Sequence, residues 1–507
     1  MLGRSTGAVL IGVDAHLIEV EVDLGSGLPT IATVGLPDSA VREGIDRIRA
    51  ALRHTQFKLP DGRLTINLAP AEVRKQGSSL DLPIAVAVLV ADDQMPAFDA
   101  ASAVFAGELG LDGSLRPVRG ALSMALAAHA AGKREFLLPV ANAAEAALVE
   151  GLTVLPLGSL ADVAAYARGA RPARARSEAR AALAQAGPAA GGDLAEVRGQ
   201  ASARRALEIA AAGGHHLLLS GPPGSGKTML ARRLPGILPP MSLEEALGVT
   251  RVHSAAGLAR GLVARRPFRA PHHAISFAGL TGGGLQLRPG EISLATHGVL
   301  YLDELPEFRR DALEALRQPL EDGSITVVRV HGAATFPAAF ALVASMNPCN
   351  CGFSGCGDGR CACTPLQIRR HLSKLSGPLL DRFDLVVQVP PVDLREVTEV
   401  AVGESSAAVR ERVVAARARQ RQRFGATGPS CNARMGPAEL NRFAILGAEE
   451  KRLMIQACNR LGLTARGFDR VRRVARTLAD LEGQDALARQ HVAEALQYRQ
   501  SATLGRN

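Results

Sequence analysis

Residues 221–228 read GPPGSGKT, which satisfies G-x-x-x-x-G-K-[ST] at every fixed position. Such a run is a phosphate cradle, because glycines let backbone N–H groups converge on phosphate oxygens at a helix N-terminus. Gly221, Pro222, Pro223, Gly224, Ser225 and Gly226 form the loop, Lys227 would bridge the β- and γ-phosphates, and the Thr228 hydroxyl would ligate Mg²⁺. The expected cofactors are ATP and Mg²⁺. A second stretch, GVLYLDELPEF at 298–308, is an apolar run ending in two adjacent carboxylates. Asp303 at the strand tip is the acidic partner that Mg²⁺ needs, and Glu304 can polarise an attacking water. A third run, FALVASMN, ends in Asn347, a polar amide where another strand tip would approach the γ-phosphate.

Five of the seven cysteines lie between positions 349 and 363. Cys349, Cys351, Cys361 and Cys363 make two C-x-C pairs, with Cys356 between them. Four thiolates satisfy tetrahedral Zn²⁺, and the intervening glycines would let the loop fold around an ion. Reduced thiols on a loop are the alternative.

Certain elements must position these residues. The strand-like runs HHLLLS, GVLYLDE, FALVASMN and DLVVQV alternate with helical segments, as in an α/β parallel sheet covered on both faces. The phosphate loop follows the first of them and opens a helix at Thr228 to Leu234, the context that its chemistry requires. We place this core at 193–395. Residues 1–168 alternate short β-like runs (VLIGVDA, IEVEVDL, LTINLAP) with helical ones such as SAVREGIDRIRAAL, a separate α/β or α+β domain. Residues 169–192 are rich in Ala, Pro, Gly and Arg without apolar periodicity and read as a linker. From 396 to 507 the pattern is helical.

A chain of 507 residues exceeds the ~150 of one domain, and 47% hydrophobic residues suffice for substantial cores. The net charge of +10 favours an anionic partner. Only six of the 59 basic residues are lysine, so part of that signal reflects the codon bias of a GC-rich genome. Leu82 to Ala91, the longest apolar run, is half of the ~20 residues a spanning helix needs. Neither a membrane span nor a signal peptide is expected, and the expected compartment is the cytoplasm.

The strand tips, together with Arg382 in SGPLLDRFDL, resemble the AAA+ ATPases. The resemblance implies Asn347 as sensor 1 and Arg382 as a finger reaching a neighbour's nucleotide, hence a ring, usually a hexamer. In LTARGFDRVRRVA it implies Arg466 as sensor 2, with Arg470 as the alternative. Longer motifs narrow the likeness: RPFRAPHH, GGGLQLRPGEISLATHGVLYLDELPEF, MNPCNCG, LSGPLLDR, ARGFDRVRRVARTLADLEG and, earlier, VGLPDSAVRE and INLAPAEVRKQGSSLDLPIA. Together they resemble the magnesium-chelatase-like AAA+ family called YifB or ComM. That family implies a helical lid after the core and a hairpin before sensor 1. Ile325 to Phe336 fits such a hairpin, with Arg329 and His331 alternating onto a face that would line a pore or lie on an ordinary surface. His272 and His273 are loop histidines expected to meet DNA or a neighbour rather than a metal.

The first domain also resembles the proteolytic domain of Lon, which uses a serine–lysine dyad. Ser79 falls at the nucleophile's place, but Leu122 stands where the lysine should follow and the next lysine is Lys133. A serine without an activating base is a poor nucleophile, so the expectation is a non-proteolytic Lon-like domain. Three functions compete: a DNA translocase acting on single-stranded or branched DNA, a tetrapyrrole metal-chelatase motor, and a protein-remodelling ATPase. The family resemblance favours the first, as a branch-migration helicase in recombination and natural transformation. A Lon-like first domain is not expected on a chelatase motor.

Overall fold

The computed structural model describes residues 2–99, 101–187, 191–284, 286–329, 332–356, 359–391 and 403–500. At its centre, Leu217–Ser220 pairs in parallel with Ala341–Met346 on one side and Leu385–Gln388 on the other. Val299–Leu302 and then the short Phe268–Arg269 complete a five-stranded, wholly parallel sheet. Every residue of LLLS and VLYL is buried, as a sheet covered on both faces requires. Alternate side chains serve opposite layers. Leu217, Leu219, Tyr301 and Val343 pack with helices Ala201–Gly213, Lys227–Ile237 and Ala465–Leu481. Leu218, Leu300, Leu302 and Leu342 instead face Val252, Phe336 and Phe383.

After the sheet, Ser406–Phe424, Ala448–Leu461, Ala465–Leu481 and Arg489–Gln500 form the helical region. The carboxylate of Asp480 is fully buried there but not unpaired. It accepts from Arg423 and from the Asn432 amide at 2.8 Å, and lies 3.0 Å from Arg476. Several donors on one buried anion tie three segments together, because removing any one would strand charge in the interior.

The first domain is a seven-stranded mixed sheet in the spatial order Thr30–Val34, Arg63–Ala69, Asp14–Gly25, Leu2–Ile11, Ala103–Phe105, Glu135–Pro139, Thr153–Leu157. The apolar run at 82–91 is the helix Asp81–Ala91, buried almost throughout against that sheet. Within 169–192, read from composition as a linker, Ala179–Ala184 forms one helical turn and a half, with Ala179 buried against the first domain.

The two sheets meet through bonded contacts. Val13 joins the core's apolar cluster, and Arg251 Nε donates to Val13 O at 3.2 Å, a carbonyl that also accepts from Ser123 within the first domain at 2.6 Å. Gly120 N–H donates to Ser254 O at 3.1 Å. Among the described residues no helix is long and apolar enough to cross a membrane.

Candidate nucleotide site

The phosphate loop leaves the sheet after Ser220 and enters the helix Lys227–Ile237. Gly226 opens that helix at φ +84°, a conformation that a side chain would strain. Lys227 is buried, and its ammonium donates to Gly221 O at 2.7 Å, Pro222 O at 2.8 Å and Asn347 Oδ1 at 3.2 Å. Desolvation lowers its pKa, while Asp303 and Glu304 support the charge. The cation is thus held at the mouth of the loop, against the tip of the neighbouring strand. Ser225 Oγ is buried without a hydrogen-bond partner among the described residues.

Asp303 and Thr228, expected to share Mg²⁺, are in contact: the Thr228 hydroxyl donates to Asp303 Oδ2 at 2.9 Å. Ser345 donates to the other carboxylate oxygen. Tyr301 completes the group, its hydroxyl 3.1 Å from Thr228 Oγ1 and 3.0 Å from Ser345 Oγ. One phenolic proton serves only one of these at a time. Burial works against ionisation of Asp303, but donation from Ser345, Thr228 and Tyr301 outweighs it and holds the carboxyl below its ordinary range. An anionic carboxylate beside a hydroxyl at a phosphate loop fits a hard divalent cation. Sequence reasoning missed Tyr301 and Ser345; the one signal was a hydroxyl-bearing residue inside each of two apolar strand runs.

Glu304 takes the left-handed conformation at φ +52° and is exposed beyond the strand tip. Its Oε2 lies 3.5 Å from His273 Nδ1. His273 therefore meets the chain's own Glu304, where the sequence reading had put it toward DNA or a neighbour. The ring of His272 lies 4.1 Å from that of His273.

Arg382 is ion-paired with Glu321 of the same chain. Burial lowers its pKa, Glu321 opposes this, and the charges of Arg470, Arg466 and Arg317 lower it further. Arg466 is exposed and bears on Arg382, and no contact joins it to the phosphate loop among the described residues. Arg470 is buried, 3.9 Å from Asp384. Asp384 in turn lies 3.0 Å from His215 Nδ1.

The hairpin is present as Ser324–Arg329 and Gly332–Pro337, with Ile325 opposite Phe336 and Arg329 opposite Gly332. Ile325, Val327 and Phe336 turn inward, while Val328 and Arg329 are exposed near the tip. His331 lies outside the described residues.

Cys349, Cys351, Cys361 and Cys363 bring all four sulfurs within 4.8 Å of one another. The Phe353 amide, with the Cys349 thiol, holds the Cys351 thiol down at about 6. Cys356 is not part of this group. In the first domain the Ser79 hydroxyl is buried and donates to Ala8 O at 2.8 Å, and Leu122 is sealed in an apolar cluster. A cavity of about 300 Å³ near Ser79 opens at the seam between the sheets, lined also by Arg119, Gln286 and Arg288, well apart in sequence from the phosphate loop.

Three family models match the chain: "Magnesium chelatase, subunit ChlI" over residues 193–397, "Subunit ChlI of Mg-chelatase" over 20–142, and "Magnesium chelatase, subunit ChlI C-terminal" over 403–499. The second match weakens the expectation that such a first domain is foreign to chelatase motors. The chain is 44% identical over 494 residues to the uncharacterized protein YifB of Salmonella typhimurium, covering 96% of this chain and 95% of that one. It is equally 44% identical to the competence protein ComM of Haemophilus influenzae, covering 96% of both chains. A Holliday junction branch migration complex subunit, RuvB of a Parafrankia species, is 29% identical over 216 residues, 41% of this chain and 47% of its own.

Proposed function

The chain belongs to the YifB/ComM magnesium-chelatase-like family of AAA+ ATPases, and from that premise we propose that it is an ATP-driven ring motor that moves branched DNA. The observation carrying the ATPase reading is the convergence of Lys227, Asn347, Thr228 and Asp303 at adjacent strand tips. Mg²⁺ supplies charge neutralisation on the transferring phosphoryl group. Lys227 binds the β- and γ-phosphates, Thr228 and Asp303 hold the metal, and Tyr301 and Ser345 orient them. Glu304 takes the proton of the attacking water, Asn347 senses the γ-phosphate, Arg382 acts from a neighbouring subunit, and Arg466, with Arg470 as the alternative, is sensor 2. Four cysteine thiolates hold one structural zinc per chain. The first domain keeps a Lon-like fold without the protease.

The DNA reading draws on the names of ComM and RuvB, on the positive charge, and on exposed Arg329 at the hairpin tip, with His331 two positions on in sequence. Six subunits would bring six such tips together, and their grip on a phosphate backbone would be electrostatic, salt-sensitive and indifferent to base sequence. Branch migration in homologous recombination and natural transformation follows as the role. The test is a labelled three-strand or Holliday-type substrate with ATP and Mg²⁺. Branch movement that stops in the Arg329→Ala/His331→Ala variant, with ATP hydrolysis retained, supports the motor.

One observation favours a second reading. The first domain's match to a chelatase subunit keeps a chelatase-type or protein-remodelling ATPase in play. ATP turnover indifferent to single-stranded, duplex and branched DNA, yet stimulated by protein, selects it.

A further inference from the structure

The cysteine loop does more than follow the sensor strand; it rests on the phosphate loop. Cys349 begins two residues after Asn347, and its sulfur lies 3.3 Å from that of Cys351 and 3.8 Å from that of Cys361. The Cys351 and Cys361 sulfurs are 3.6 Å apart. Tetrahedral zinc with Zn–S bonds of about 2.3 Å sets its sulfurs about 3.8 Å apart. A disulfide needs about 2.05 Å. The spacing therefore suits four thiolates around one thiophilic divalent ion.

Gly352, directly after the second ligand, sits at φ +88°, and a Cβ there would stand 2.5 Å from Pro223 Cδ and 3.8 Å from Asn347 Cγ. The backbone of the cysteine turn is thus pressed against the proline ring of the phosphate loop. Only glycine allows so close an approach. The turn is closed by Gly352 N–H to Cys349 O at 3.0 Å and by Ser354 N–H to Cys349 Sγ at 3.3 Å. On the far side of the cysteines, the helix Pro365–Leu372 carries His371, whose Nε2 lies 3.1 Å from Asn347 O. Both ends of the loop therefore bear on the residue that contacts Lys227.

We infer that a zinc-type ion bound by Cys349, Cys351, Cys361 and Cys363 props the phosphate loop through the Gly352–Pro223 contact, so that metal occupancy sets nucleotide affinity. With the ion, the two cysteine pairs and the Gly352 turn form one cross-linked body wedged under Pro223. Without it, a glycine-rich loop regains conformational freedom, and ordering it falls to nucleotide binding. This inference rests on the nucleotide-site reading.

The test uses the full chain purified without chelators. Elemental analysis should give about one zinc per chain. Titration with a fluorescent ATP analogue in Mg²⁺ gives the reference affinity. A zinc-selective chelator, with Mg²⁺ kept constant, should weaken nucleotide binding by about tenfold, and added zinc should restore it. Gly352→Ala should keep its zinc yet bind nucleotide more weakly, while Cys361→Ser/Cys363→Ser should lose both zinc and its rescue. Circular dichroism identifies a variant that fails to fold, and the chelator and add-back arms on the wild-type chain then decide alone. Substoichiometric zinc overturns the metal centre. Full zinc with an affinity unchanged by its removal overturns the coupling alone, and zinc-loaded chain that binds no nucleotide overturns the nucleotide site itself.

Discussion

Glu321 holds the Arg382 guanidinium within its own chain. Around this pair stand Arg466, Arg317, itself paired with Glu314 at 2.7 Å, and Arg470, beside Asp384, and all three bear on Arg382. In the proposed ring a neighbour's phosphates would compete with Glu321 for the Arg382 guanidinium. Arg382→Ala should therefore hydrolyse ATP poorly alone, yet restore turnover when mixed with Glu304→Gln subunits, because its intact Glu304 and the neighbour's intact Arg382 then act on one nucleotide. Steady-state phosphate release across mixing ratios measures this. Full turnover by an isolated Arg382→Ala monomer would defeat the ring.

Lys227 and Glu304 should fail differently. Lys227→Ala loses the cation lodged among Gly221 O, Pro222 O and Asn347, so nucleotide binding itself should weaken. Glu304→Gln leaves the Thr228–Asp303 pair intact, so it should bind ATP with near wild-type affinity and retain it unhydrolysed. Filter binding of radiolabelled ATP followed by product analysis separates the two.

Tyr301 makes a sharper case, since its ring and its hydroxyl have separate duties. Tyr301→Phe preserves stacking on Phe268, with ring centroids 5.9 Å apart, but removes the group bridging Thr228 and Ser345. Loss of one such bond costs about 1 kcal/mol. The Mg²⁺ concentration for half-maximal turnover should rise about fivefold, with nucleotide affinity in the absence of Mg²⁺ unchanged. An unaltered Mg²⁺ profile would remove Tyr301 from the site.

His216 sets an acid limit on the core sheet. Desolvation lowers its pKa from 6.5 to about 4, and its Nδ1 accepts the Leu342 N–H at 3.1 Å. Below 6.5 the unfolded chain takes up a proton that the folded chain refuses, so this contribution is complete above 6.5 and is lost as pH falls toward about 4. The loss amounts to as much as about 3 kcal/mol. Thermal unfolding followed from about pH 7 to about pH 5 should show a falling midpoint, and His216→Asn should flatten that fall.

In the first domain, Ser79→Ala should change neither ATP turnover nor DNA-dependent work, and the wild-type chain should cleave no casein or peptide. The Ser79 hydroxyl is already committed to Ala8 O, and Leu122 offers no base. Proteolysis that disappears in Ser79→Ala would reverse this view.

Motifs carried by contiguous residues were legible in the sequence. GPPGSGKT shows itself because a phosphate loop is one turn of backbone, and Asp303 and Asn347 because strand tips end apolar runs. The parallel sheet follows from the same runs, whereas the hairpin at Ile325 to Phe336 was expected from the family resemblance. Partners far apart in sequence were not legible. Ser345 reaches Asp303 across 42 positions and Arg382 meets Glu321 across 61. His273 illustrates the same limit: its place in a loop of a family motif suggested DNA or a neighbour, and only strand order brings it beside Glu304. Nothing local in Gly352 announces that Pro223 lies against it.

The seam between the two sheets bears on how this protein can be dissected. Leu10, Ile11 and Val13 of the first domain complete an apolar cluster whose other members belong to the ATPase core. The helix Leu243–Ala256 is clasped from the first domain by Ser123, Gly120 and Glu145. A truncated chain starting near residue 193 would leave that face raw and adhesive. Its clumping would imitate a lost activity, so inactivity of such a fragment would be no measure of what the first domain contributes to the ATPase.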